Sequence, residues 1–122
     1  MNDYKRILCI ESNEDIAHAI CIFLNGESFK VDHVERAKDA LESKKKYDLM
    51  LVDSVLPEMK GVELISKIRS KKENERCKFG LMGILPVSCN EIEMMKKKGV
   101  DDYLKKPFTK EELLSFVNKL IS

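Results

Sequence analysis

At 122 residues the chain is long enough to bury one real core and fits a single domain over 1–122. Its 43% hydrophobic and 35% charged residues describe a globular chain, and 22 basic against 21 acidic side chains (net +1) give no case for nucleic acid or an anionic membrane as the main partner. No apolar run approaches the roughly 18 residues of a membrane span and no apolar leader follows Met1, so a cytoplasmic protein is expected.

Ile7 to Ile10 is a short continuous apolar run, which suits a strand covered on both faces, and it stops at Glu11-Ser12-Asn13. Helix signals follow: Asn13 as cap, Glu14 and Asp15 in the first turn, then Ile16, Ile20, Phe23 and Leu24 at helical spacing, with Gly26 as the stop. Phe29, Val31 and His33 alternate with more polar neighbours and give a second, more exposed strand near an edge. Ala37, Ala40 and Leu41 form a short helix that fades into Lys44 to Lys46. Leu49 to Val52 is the most apolar strand, and it ends on the carboxylate of Asp53.

A turn containing Pro57 and Gly61 leads into a helix marked by Val62, Leu64, Ile65 and Ile68, running to about Arg69. A polar stretch over 70–78 separates it from a fourth strand, Phe79 to Leu85, which Pro86 should end because it has no N–H for a ladder. Glu91 to Lys98 is helical, with Ile92 and Met95 inward and Gly99 as its stop. Asp102 to Lys105 is a fifth strand. Thr109 to Glu112 has capping-box form, and Leu113, Phe116, Val117 and Leu120 give the last helix an apolar stripe.

Strand and helix alternate five times, which calls for an α/β fold: a parallel sheet with helices on both faces. Ligands of such sheets bind beyond the carboxyl ends of the strands. The residues there are Glu11-Ser12, Asp53, Pro86 to Ser88, and Lys106. Two carboxylates about 4 Å apart repel by roughly 4 kcal/mol at an effective dielectric of about 20, so the pair calls for a cation, a shared proton or distance. Lys106 can supply that cation, and so can a hard divalent ion such as Mg²⁺. Asp53 is then a candidate nucleophile toward phosphorus.

Other polar features have plainer readings. The lysines at 44–46, 71–72 and 96–98 fit solvated helix ends, and Met94-Met95 a helix partly covered by the sheet. Cys9, Cys21, Cys77 and Cys89 stand far apart with no C-x-x-C pair, so structural thiols are expected. His18 and His33 lack a second nitrogen or sulfur ligand at zinc spacing. There is no P-loop and no G-x-G-x-x-G to support a nucleotide enzyme or cofactor binder of similar fold.

From ILCIES through LVDSVLPEMKG to DDYLKKPF, nearly the whole chain resembles a response-regulator receiver domain of two-component signalling. The specific combination is an aspartate ending the third strand, a proline four residues on, a glycine eight on, and a late Lys-Pro-Phe. The resemblance implies a flavodoxin-like sheet of order 2-1-3-4-5 and a signalling module rather than an enzyme. It implies that Asp53 is the phosphoacceptor, that Lys106 contacts the phosphoryl group, and that the Lys106-Pro107 bond is cis. Glu11 and Ser12 fall on the acidic pair that holds Mg²⁺, Val55 on the residue whose backbone carbonyl is a metal ligand, and Tyr103 on the aromatic that turns on activation. The implied partners are a histidine kinase or phosphotransfer protein and a downstream protein that meets the fourth helix, fifth strand and fifth helix.

Two departures set this chain apart. Ser12 stands where the family has its second acid, which predicts reduced Mg²⁺ affinity rather than certain loss. The hydroxyl residue that ends the family's fourth strand falls between Ile84 and Pro86, where there is none, so Ser88 could serve only if the chain after Pro86 folds back. A pseudo-receiver, binding partners without phosphorylation, is the alternative, and it is favoured if Lys106 fills the site as an ion pair to Asp53.

Overall fold

A computed structural model describes residues 4–26 and 28–121. The strands are β1 (Lys5–Ile10), β2 (Phe29–Val34), β3 (Leu49–Asp53), β4 (Lys78–Gly83) and β5 (Asp102–Lys105), and the α-helices are α1 (Glu14–Leu24), α2 (Ala37–Glu42), α3 (Gly61–Arg69), α4 (Cys89–Lys97) and α5 (Lys110–Ile121). The five strands make one parallel sheet of order β2-β1-β3-β4-β5. This is the flavodoxin-like arrangement, with β2 at one edge as its partly exposed alternation requires.

Alternation along each strand splits the core in two. Leu8, Ile10, Met50, Val52, Phe79 and Leu81 face α2 and α3, meeting Ala40, Leu64, Ile65 and Ile68. Ile7, Cys9, Leu49, Leu51 and Met82 face α1 and α5, meeting Ala17, Ile20, Leu113, Phe116 and Val117. A strand with helices on both sides has no solvent face, and every residue of β3 is buried. Burying a Leu or Ile side chain contributes about 1.5–3 kcal/mol, so this double layer is what fixes where the strand ends lie.

Several boundaries differ from the sequence expectation, three of them with a visible cause. The fourth strand stops at Gly83 rather than Leu85, because β5 has only four residues and its register closes at Gly83 with Lys105. Ile84 and Leu85 are consequently 70% and 69% exposed despite their hydrophobicity. Helix α4 begins at Cys89, two residues early, because Ser88 caps it in a full capping box with Glu91. Asn25 rather than Gly26 closes α1, its amide donating to the Cys21 carbonyl and its side chain accepting from Val31 N. The capping box at Thr109 and Glu112 forms as expected, and Gly99 ends α4 at φ 107°.

Helix α4 has no buried residue. Met95 is half-buried against the α2/α3 core layer, and the turn just after α4 is tied to α3: Ser66 Oγ donates to the Lys98 carbonyl at 2.7 Å, and Arg69 Nε to the Gly99 carbonyl at 3.0 Å. Arg69 Nη2 also pairs with Asp101 at 2.6 Å, while the guanidinium lies over the Phe79 ring, 4.9 Å from its centroid. Asp101 in turn accepts from Phe79 N at 2.8 Å. One planar fork thus joins α3, β4 and the α4–β5 turn, which a lysine's single ammonium cannot reproduce. Arg69→Ala is expected to cost about 1.5–3 kcal/mol of unfolding free energy, the range for hydrogen bonds to charged groups, and Arg69→Lys to recover less than half of it in urea denaturation.

Candidate phosphoryl-acceptor site

The carboxyl ends of β1, β3 and β5 bring three buried polar residues together: Glu11, Asp53 and Lys106, at 0%, 8% and 8% exposure. Lys106 Nζ lies 2.6 Å from Glu11 Oε1 and 3.2 Å from Asp53 Oδ1. The Lys106 amide donates to the Gly83 carbonyl at 2.7 Å, which aims its side chain back over the sheet, and the Lys106-Pro107 bond is cis. One ammonium serves two carboxylates, so the cluster keeps an excess negative charge unless a proton or a further cation joins it.

Glu11 is held at every polar atom. Its amide donates to the Val34 carbonyl at 3.1 Å, its carbonyl accepts from His33 Nε2 at 2.8 Å, and Oε2 accepts from Asn13 N at 3.3 Å. Burial pushes the Glu11 carboxyl above the usual carboxylate range, and the Asp53 carboxyl beside it pushes the same way, while Lys106 opposes both. Cys9, on the neighbouring strand position, has its thiol pushed up mainly by burial, which keeps it protonated.

Asp53 is presented differently. Oδ1 accepts from Lys106 and from Val55 N at 3.3 Å. Oδ2 accepts no hydrogen bond from the described residues. Since no buried side-chain oxygen among them lacks a partner, Oδ2 reaches solvent. The turn that follows is fixed by Gly61, whose amide donates to the Ser54 carbonyl at 2.9 Å and where a Cβ would overlap the Asp53 carbonyl. Val55 is 73% exposed, and its carbonyl accepts no backbone hydrogen bond from the described residues.

Ser12 is exposed and makes no side-chain hydrogen bond among the described residues. The oxygens that the sequence offers to a metal are therefore the carboxylates of Asp53 and Glu11, the exposed Ser12 hydroxyl and the Val55 carbonyl. These are hard donors of the kind Mg²⁺ takes alongside water, one charge short of a site with three acids. The donor set fits Mg²⁺, with Glu11 already committed to Lys106.

Ser88 does not reach the site: its hydroxyl accepts from Glu91 N as the cap of α4. Ile84 lies there instead, sharing with Lys106, Pro107, Phe108 and Ile16 a mostly apolar cleft of about 470 Å³ against α1. Tyr103 donates its hydroxyl to the Leu85 carbonyl at 2.6 Å. It can do so because residue 83 is glycine: a Cβ there would lie 2.5 Å from the Tyr103 hydroxyl and 2.7 Å from Ser54 Oγ. The sequence offers Gly80 and Gly83 as sites of close approach in the fourth strand, which Gly83 is, but it gives no role to the His33 or Ser54 side chains. A glycine at the end of the fourth strand was the one visible signal, whereas the reach of His33 depends on the register between β1 and β2.

Gly83→Ala is expected to push Tyr103 off the Leu85 carbonyl, costing about 1 kcal/mol, the typical worth of one hydrogen bond, and to be visible as a changed Tyr103 ring environment by NMR. Lys106→Met removes the influence that lowers the Glu11 pKa. A carboxyl with a raised folded-state pKa binds more protons folded than unfolded, so stability falls as pH rises from about 4.5 to that raised value. The variant should therefore lose about 3 kcal/mol at pH 7, the lower end for breaking a buried pair, and visibly less at about pH 5, measured by urea unfolding at each pH.

Residues 7–118 match the family described as "Response regulator receiver domain". The chain is 31% identical over 120 residues to the cell cycle response regulator CtrA of Brucella ovis, covering 95% of this chain and 50% of that protein. It therefore spans about half the length of the curated relatives it matches. Among solved structures, a two-component response regulator from Clostridium difficile superposes with TM-score 0.83 at 26% identity, covering 95% of this chain and 94% of that one. The chemotaxis response regulator CheY4 of Vibrio cholerae shares the fold at TM-score 0.88 and 20% identity, over 97% of this chain and 99% of that one. No helix among the described residues is long and apolar enough to cross a membrane. The chain belongs to the response regulator receiver family, the signalling modules of two-component systems.

Proposed function

We propose that residues 1–122 act as a receiver that accepts a phosphoryl group on Asp53 from a histidine kinase or phosphotransfer protein, and that the α4–β5–α5 face then changes its affinity for a downstream protein. The observation that carries this reading is the posture of Asp53, with Oδ1 held by Lys106 and Val55 N and Oδ2 without a donor among the described residues and keeping some contact with solvent. In the transfer, Oδ2 attacks phosphorus and a P–O bond forms. The bond from phosphorus to the donor nitrogen or oxygen breaks, and its electron pair leaves with the donor. Charge on the phosphoryl oxygens is then offset by Lys106, whose ammonium already lies 3.2 Å from Oδ1. Asp53, the Val55 carbonyl, Glu11 and, weakly, Ser12 would hold Mg²⁺, which when bound adds charge neutralisation at the transferring oxygens.

A second reading, a pseudo-receiver that binds its partner without phosphorylation, draws on the Lys106–Asp53 ion pair, the uncharged Ser12 and the apolar Ile84. The Lys106–Asp53 ion pair meets the condition that favours this second reading. The first is kept ahead because the ammonium is shared and lies closer to Glu11, at 2.6 Å, than to Asp53, at 3.2 Å, so it does not serve the acceptor alone.

Incubation with acetyl phosphate and Mg²⁺ should add one phosphoryl mass to the intact protein. The adduct should be base-labile and absent in Asp53→Asn. Ser12→Asp should lower the Mg²⁺ concentration for half-maximal labelling by about tenfold, equivalent to about 1.4 kcal/mol from one added charge. No adduct with acetyl phosphate, phosphoramidate or a phosphorylated histidine protein would sink the acceptor reading in favour of the pseudo-receiver.

A further inference from the structure

We infer that His33 is a positioning residue for the acceptor site, acting through Glu11 and Lys106 on Asp53; the inference rests on the phosphoacceptor reading above. His33 lies on β2, in register with Cys9 and on the sheet face shared with Phe29, Val31 and α1. Beyond Ile10 the pairing of β1 with β2 survives by one bond, from Glu11 N to the Val34 carbonyl. The next β1 group is the Glu11 carbonyl, and β2 offers it a side chain, His33 Nε2 at 2.8 Å, in place of a backbone N–H.

A carbonyl has only lone pairs to offer, so Nε2 carries the proton and the neutral ring is the Nε2–H tautomer. The peptide of Glu11 is thus clamped to β2 on both sides. Its carboxylate is correspondingly fixed in reach, held by Asn13 N on one oxygen and Lys106 on the other. Lys106 is 2.6 Å from Glu11 and 3.2 Å from Asp53, so Glu11 is the tighter of its two anchors and sets where the ammonium stands relative to Asp53. His33 touches neither the acceptor nor the lysine. It fixes the backbone from which the lysine's closer partner projects, as outer hydrogen-bond partners orient the ligands of metal sites.

The test uses wild type, His33→Leu, which fills the space without a donor, and His33→Gln, whose side-chain amide can donate to the same carbonyl. In protein never exposed to a phosphodonor, the ¹H–¹⁵N signal of the Lys106 ammonium reports its held position. That signal should be lost or broadened in His33→Leu and return in His33→Gln. With acetyl phosphate, His33→Leu should lower the maximal labelling rate about tenfold, the lower end for loss of an outer-shell partner, with the half-saturating donor concentration unchanged, and His33→Gln should come within about twofold of wild type. A His33→Leu protein with an unaltered Lys106 signal and wild-type labelling overturns the inference, and so does equal impairment of both variants at equal stability. Ring ¹⁵N shifts showing the Nδ1–H tautomer in wild type overturn it without any variant. If wild type takes no phosphoryl group, the acceptor reading fails on its own, and the Lys106 signal still decides the positioning role.

Discussion

The ammonium of Lys106, buried between Glu11 and Asp53, is the constraint on which the candidate site depends. Its three members come from the ends of β1, β3 and β5, which are not mutual neighbours except for β1 with β3. Their meeting is therefore a property of the whole sheet, set by its register and by the two apolar layers that hold it. Desolvating three charges costs several kcal/mol per ion, and their mutual attraction offsets that only where the geometry is tight. The shortest contact and the densest hydrogen bonding both belong to Glu11, so the cluster is anchored on the first strand and reaches toward the third.

That anchoring contrasts with the rim of the site. Val55, Ile84 and Leu85 are all more than two-thirds exposed, and α4 beside them buries no residue of its own. The helix is tied to α3 at its C-terminal turn, through Ser66 and Arg69, while its start is secured by its own capping box and by Tyr103 reaching the Leu85 carbonyl. Free energies of local opening are lowest where few apolar contacts are made, so the β4–α4 segment is expected to open more readily than the β1–β3 side of the sheet.

The sheet, its strand order and the helical layers were legible in the sequence because each rests on a strong local pattern: apolar runs at 7–10 and 49–52, helical spacing in α1, α3 and α5, and capping signals. Glu11, Asp53 and Lys106 could be placed at one lip from topology alone, since parallel strands share a carboxyl edge. The fourth strand was overextended because Ile84 and Leu85 look like strand residues, and only the shortness of β5 shows that they have no partner. Ser88 was legible as a cap through its spacing to Glu91 and was instead weighed as a stand-in hydroxyl. His33 lacks zinc-ligand spacing in the sequence, and its bond to a backbone carbonyl depends on a register that no local pattern carries.

The two departures of this chain act on separate parts of the proposed reaction. Ser12 in place of an acid removes charge from the oxygens around Asp53, which weakens the attraction for a divalent ion but leaves Oδ2, Lys106 and the turn at Gly61 untouched. Ile84 in place of a hydroxyl removes a hydrogen bond that would link a phosphoryl oxygen to the β4–α4 segment, while that segment stays bonded to Tyr103 through the Leu85 carbonyl. The first loss bears on how readily Asp53 is modified, the second on how the modification reaches α4. With no side chain at Gly83 to hold Tyr103 outward, the aromatic already occupies its place against the loop. On the proposed reading, acceptance and response are thus carried by different residues, and the β4–α4 segment must sense the phosphoryl group through Lys106 and the backbone around it rather than through a hydroxyl of its own.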